Sequence, residues 1–223
     1  MSAGRGRRLG GVCKGRVMVD GQPMVLRQIS AMLTAGVDQV SVVVGHEASQ
    51  IIEICQNIEG PSVSILNLSE HFHSVSNDPE LQFSIRYVIK DATSRLSGNR
   101  ELSGILISLV DLPLLSPGDI RAVITASGNR ANAVVIPLSS AQQPGHPIWL
   151  PRELVLKVNL DIEDLTLRDV LRGNDSSMSC DIQHLRSDLP GYFVDFDTPE
   201  DIHSLQERYE LHISVPDRYS IKN

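Results

Sequence analysis

Residues 23–69, PMVLRQISAMLTAGVDQVSVVVGHEASQIIEICQNIEGPSVSILNLS, decide the fold class. From Pro23 to Ala35 apolar side chains fall at 24, 25, 29, 32 and 33, a helical stripe entered by proline and closed by Gly36. VDQVSVVVG (37–45) is a valine run too short for a helix and suits a strand buried on both faces. EASQIIEICQNI (47–58) returns to helical spacing, and VSILNLS (63–69) is again strand-like. This alternation predicts an α/β fold with a mostly parallel sheet.

The same rhythm continues outward. Residues 69–79 are polar and aperiodic and read as a surface loop, and LQFSIRYVIKDATSRL (81–96) reads as a helix. ILISLVD (105–111) is an apolar run ending on an acid, expected to be a strand buried on both faces. LPLLSPGDI then enters a helix through Ser116 and Pro117. NAVVIPL (132–138) is a further strand, DIEDLTLRDVLRG (161–173) an exposed helix, and YFVDFD (192–197) a last strand before a helix capped by Thr198 and begun by Pro199. No repeat or linker interrupts the 223 residues, so one domain over 1–223 is expected.

The first fourteen residues, MSAGRGRRLGGVCK, concentrate glycine at 4, 6, 10 and 11 with Arg5, Arg7, Arg8 and Lys14. Glycine lets backbone N–H groups converge on anionic oxygens, and the cations add charge-assisted bonds, so the stretch suits phosphate. It is not a Walker A loop, because Lys14 is followed by Gly15 and the glycine spacing differs. The competing reading is a flexible basic terminus.

Composition narrows the partners. A formal charge of −7 and a pI near 5.5 oppose general nucleic-acid binding. No apolar stretch approaches the ~20 residues of a membrane span. Cys13, Cys55 and Cys180 are odd in number and lack CxxC spacing, which suits a reducing cytoplasm and neither a disulfide framework nor a zinc site. Cys13, among cations, is open to two readings, a reactive thiol or a small filler. His71 and His73 are poor metal candidates in a polar loop, and no GxSxG elbow supports an esterase.

In open α/β sheets ligands bind beyond the carboxyl ends of strands, where Asp111, Asp195 and Asp197 are expected. Carboxylates converging there need a cation, and Mg2+ is the natural one, since it joins one or two carboxylates to substrate phosphates. Asp111 is the first ligand candidate. Asp195 and Asp197 are expected on one strand face, with one touching the ion directly; Asp195 is the expected ligand, and the alternative role for Asp197 is to brace the following turn. His146, in PGHP, either projects toward a substrate phosphate or is satisfied by local backbone.

Four segments in order, SAGRGRRLGGVCKGRVMVDGQPMV, VDLPLLSPGDI (110–120), QPGHPIWLPREL (143–154) and YFVDFDTPEDI (192–202), resemble the nucleotidyltransferases that act on the molybdenum cofactor. In that family the first loop runs Leu-Ala-Ala-Gly or Leu-Ala-Gly-Gly, then Arg-Met-Gly, then Lys. The resemblance implies a Rossmann-like three-layer sandwich of the nucleotide-diphospho-sugar transferase type. It implies nucleotide contacts at Ser2, Ala3, Gly4, Arg5, Gly6, Gly10 and Lys14, and a serine turn near the nucleotide that Ser84 matches in part. It also implies catalytic roles for Lys14, Arg8 and Asp111, metal ligation by Asp111, Asp195 and Asp197, and acceptor binding by His146.

The implied reaction moves a nucleotidyl group to the terminal phosphate of molybdopterin, releasing pyrophosphate, with a molybdoenzyme as a possible partner. Ser2-Ala3-Gly4 and Gly145-His146-Pro147 are similar to the cytidylyltransferase branch, which uses CTP. Arg8-Leu9-Gly10-Gly11-Val12-Cys13-Lys14 is similar to the guanylyltransferase loop. The family's first β-strand should end where Met1 and Ser2 stand, so a recorded start downstream of the real one is expected. The alternatives are a shortened chain acting as a non-catalytic delivery partner, or a sugar-phosphate nucleotidyltransferase of the same fold.

Overall fold

The computed structural model describes residues 7–45, 48–58, 60–69, 80–128, 130, 132–162, 165–172 and 181–216, with backbone alone for Arg7, residues 80–84 and Arg172. The chain forms two compact units. The first is built from Met1–Ser76, Leu109–Pro117 and Val194–Asn223, the second from Asn77–Ser108 and Gly118–Phe193.

In the first unit, helix α1 (Met24–Ala35) follows Pro23 and stops at Gly36, whose φ of 97° lets its N–H reach the carbonyls of Leu33 and Met32. Its buried face carries Met24, Val25, Gln28, Ile29, Ala31 and Ala35. Strand β3 (Val40–Val44) lies parallel to β4 (Val63–Asn67), with Val40 opposite Val63, and α2 (Ala48–Cys55) makes the crossover. That is the unit expected from residues 37–69. Val44, Ile51 and Cys55, all fully buried, join Val17, Val19, Met24 and Phe196 in one core.

A small antiparallel sheet completes this unit. β1 (Met18–Val19) turns into β2 (Gln22–Pro23) through Asp20 and Gly21, with φ of 50° and 78°, and β9 (Ile213–Ser214) pairs with β1's other edge. Asp-Gly between apolar residues is a strong hairpin signal that the sequence reading passed over. Helix α7 (Pro199–Tyr209) begins where expected, with Thr198 and Asp201 forming a capping box.

The strand expected over 192–197 is absent. Tyr192 ends a short 3-10 turn (Pro190–Tyr192), and residues 194–197 have no regular structure. The N–H groups of Asp197 and Thr198 both donate to the Asp201 carboxylate, so helix entry takes donors a ladder would have used.

The second unit holds helix α3 (Glu80–Gly98), as expected, and a four-stranded mixed sheet. Its strands are β5 (Gly104–Ile107), β6 (Val134–Leu138), β7 (Ile148–Pro151) and β8 (Ile182–Arg186), in the order β5-β7-β6-β8. β6 and β8 are parallel, whereas β7 is antiparallel to both its neighbours. The sheets are therefore parallel in part, because the 139–147 connection returns β7 as a reversing strand.

The apolar run 105–111 is also corrected. β5 stops at Ile107, four residues before Asp111, and is a half-buried edge strand. Its partner β7 begins at Ile148, after Pro147, which has no N–H to extend the ladder. Helix α4 (Pro117–Ser127) follows with Asp119 in its first turn, and α5 (Arg152–Lys157) follows β7. The helix expected over 161–173 is α6 (Leu167–Arg172), started by Thr166, whose N–H bonds the Asp169 carboxylate. Leu165 just before it and Val170 within it are buried, so the segment is not simply exposed. The expected loop over 69–79 lies almost wholly outside the described residues. Among the described residues no helix is long and apolar enough to cross a membrane.

Candidate active site

The described part of the glycine loop consists of two 3-10 turns, Arg7–Leu9 and Lys14–Arg16, joined through Gly10 and Gly11 with φ of 68° and 84°. Those angles suit glycine and would strain other residues. Leu9, Val12 and Cys13 are buried, so the loop is anchored by apolar side chains while Arg8 stays exposed. Cys13 is 1% exposed, which fits the filler reading. Ser2, Ala3, Gly4, Arg5 and Gly6 lie outside the described residues, as does Cys180.

Lys14 leaves this loop and meets two carboxylates at once. Its Nζ donates to Asp111 Oδ2 and to Asp197 Oδ1, each at 2.5 Å, and lies 5.8 Å from the centroid of the Phe196 ring. Arg8 Nη1 donates to the other oxygen of Asp197 at 3.0 Å. The sequence called for a cation among converging acids, and here an ammonium group fills that place. Desolvation pulls the Lys14 pKa down, but the charges and hydrogen bonds of Asp111 and Asp197 outweigh it and leave it above 10.5. Lys14 is thus a fixed cation at neutral pH and not a base.

Asp111 is held by its neighbours. Gln28, buried on α1, donates from Nε2 to the Leu112 carbonyl at 2.7 Å, and Arg27 Nε donates to the Pro113 carbonyl at 3.2 Å. The two residues fix the Asp-Leu-Pro corner. Neither was singled out from sequence, although an amide on the buried stripe of α1 was the available signal. Asp111 Oδ1 is buried with no hydrogen-bond partner among the described residues, an anionic oxygen that a cation would satisfy.

Asp195 is exposed as a residue, yet its carboxyl titrates above 3.8. Partial desolvation is the leading cause, and repulsion from Asp111 and Asp197 adds to it against the pull of Lys14. It therefore shares the electrostatic neighbourhood of the other two acids. Asp197 does not brace the following turn with its carboxylate. Asp201 does so, and the Asp197 carboxylate faces the loop cations. Among the described residues no three or more His, Cys, Asp or Glu side chains form a complete metal cage. One or two carboxylates with an orphaned oxygen suit an ion whose other ligands are water and substrate phosphate.

Two site expectations fall in the second unit. His146 Nδ1 lies 3.2 Å from the Ile107 carbonyl, and its N–H donates to the Tyr192 carbonyl at 3.0 Å, so the imidazole has a local backbone contact. Ser84 is on α3, where only the backbone is described.

Residues 1–184 match the family model of the MobA-like NTP transferase domain, and the chain belongs to that family. Over those residues it carries an NTP transferase domain. A curated relative, the bifunctional protein GlmU of Geobacter sulfurreducens, is 28% identical over 155 residues; the match takes in 66% of this chain and 28% of the relative's length. Among solved structures, a nucleotidyl transferase from Methanothermobacter thermautotroptrophicus superposes with a TM-score of 0.65 at 20% identity, covering 94% of each chain. Rv0371c from Mycobacterium tuberculosis in complex with manganese gives 0.60 at 18% identity, covering 92% of this chain and 95% of its own. These likenesses establish the α/β nucleotidyltransferase fold.

Proposed function

We propose that the chain, as one nucleotidyltransferase domain over 1–223, transfers CMP from CTP to the terminal phosphate of molybdopterin and releases pyrophosphate. The observation that carries this reading is the Lys14 ammonium on Asp111 and Asp197, set beside a glycine turn and an Asp111 oxygen that is unpartnered among the described residues. The four motif segments and the MobA-like family support the molybdopterin acceptor.

In this mechanism an ionised oxygen of the acceptor phosphate attacks the α-phosphorus of the triphosphate in line. The bond to the bridging oxygen breaks, and pyrophosphate leaves with the electron pair. The acceptor oxygen is already ionised, so no base is needed, consistent with the absence of that role for Lys14. Lys14 and Arg8 would offset charge on the phosphate oxygens, and Ser2, Ala3, Gly4, Arg5, Gly6, Gly10 and Ser84 are the proposed nucleotide contacts. Asp111, with Asp195 or Asp197, would hold Mg2+, which supplies Lewis-acid neutralisation of phosphate charge when bound. His146 is the proposed acceptor-phosphate contact, on the likeness of its Gly-His-Pro segment to the family's.

CTP is the proposed nucleotide because Ser2-Ala3-Gly4 and Gly145-His146-Pro147 match the cytidylyl branch. The Ala3 methyl would crowd the space a purine needs. GTP is the second reading, favoured by the 8–14 loop spacing. Turnover with CTP, GTP, UTP and ATP, each with Mg2+ and loaded molybdopterin, tests the choice. A CTP preference of at least about tenfold in kcat/KM, ~1.4 kcal/mol, is expected, and Ala3→Gly should narrow it. A preference for GTP would overturn the branch assignment.

A further inference from the structure

We propose that Lys14 is the resident counter-cation of Asp111 and Asp197, and that a divalent ion takes its place, releasing the ammonium toward the triphosphate. The inference rests on the metal reading above and adds an ordered exchange to it. An ammonium group has three N–H donors, and two of them are committed to Asp111 Oδ2 and Asp197 Oδ1. In that state it has at most one donor left for a phosphate. The carboxylate that Lys14 grips through Oδ2 is the one whose Oδ1 is buried and, among the described residues, unpartnered. An ion bound there would share a carboxylate with the ammonium, and two cations on one carboxylate repel.

The backbone of Lys14 is set in the 3-10 turn Lys14–Arg16, between Cys13, which is buried, and Val17, which is fully buried. The flexible four-carbon stem is therefore the part able to move. Arg8, 72% exposed and on the far oxygen of Asp197, is free to stay and keep that carboxylate neutralised. Exchange would make ion binding and triphosphate contact a single event: the ion's arrival supplies the donor that the nucleotide needs. By linkage, Lys14 and the ion must then weaken one another's hold on the carboxylates.

Mn2+ binding to the full chain without nucleotide, followed by the electron paramagnetic resonance of free Mn2+, tests this. Lys14→Met, and Lys14→Gln as a second variant in case the first does not fold, should bind Mn2+ at least about fivefold tighter than wild type. Equal or weaker binding by a folded Lys14 variant overturns the exchange. Asp111→Asn should bind at least about tenfold weaker; unchanged binding would instead overturn the metal reading itself. On the wild-type chain, Mn2+ should raise the acetylation rate of Lys14 by acetic anhydride severalfold, and an unchanged or lower rate contradicts release of the ammonium.

Discussion

Lys14 and Asp111 are 97 positions apart in sequence and 2.5 Å apart in space, and their roles can be separated by substitution. Lys14→Ala should lower kcat by about 2–4 kcal/mol of transition-state stabilisation, the scale of one preorganised charge donor. A rise in KM alone would make Lys14 a uniform binding contact. Asp111→Asn keeps an acceptor for Lys14 and should leave thermal stability within a few degrees while removing metal-dependent turnover, measured by melting and pyrophosphate release. Both residues were legible in sequence, because a lysine closing a glycine loop and an acid after an apolar run have few other uses. Their mutual ion pair was not, since nothing local tells an acid that its first cation will be a side chain.

At the level of elements, the capping box of α7 was legible, since Thr-Pro-Glu-Asp spells helix entry in four residues. Thr198→Ala should cost about 1 kcal/mol in urea unfolding. The hydrogen bond from the Asp197 N–H, helped by those from Thr198, holds the Asp201 pKa below 3.8 against the opposing effect of desolvation. A depressed folded-state pKa contributes stability above the unfolded value and loses it as pH falls through the folded one. The acid limb of stability below about pH 4 should therefore flatten in Asp201→Asn. The strand misread over 192–197 follows from the same box, which the alternating apolar pattern gave no reason to set against a ladder. β5 was overextended for another reason: strand length depends on the partner, and β7 offers four residues. Where the two meet, a Cβ on Gly104 would lie 2.4 Å from the Leu150 carbonyl oxygen and 2.6 Å from the Trp149 ring. Gly104→Ala should accordingly destabilise by about 1–3 kcal/mol, read from the denaturant midpoint.

Across the whole molecule, the α/β class was legible because helical and strand periods alternate along both units. The antiparallel part of the second unit's sheet was not, since β7, its reversing strand, is four residues long and buried throughout, with no alternation of its own. The family match from 1 to 184 draws on segments of both units, in keeping with motifs read along most of the chain. The proposed function couples triphosphate cleavage to an acceptor phosphate, and the proposal places that chemistry at Lys14 and Asp111. The most direct measurement is pyrophosphate release from CTP by the full chain with Mg2+ and loaded molybdopterin, wild type beside Asp111→Asn. The account predicts acceptor-dependent release by wild type, equal in amount to the dinucleotide formed, and a fall of at least about a hundredfold in the variant. Release at the wild-type rate by Asp111→Asn would contradict it.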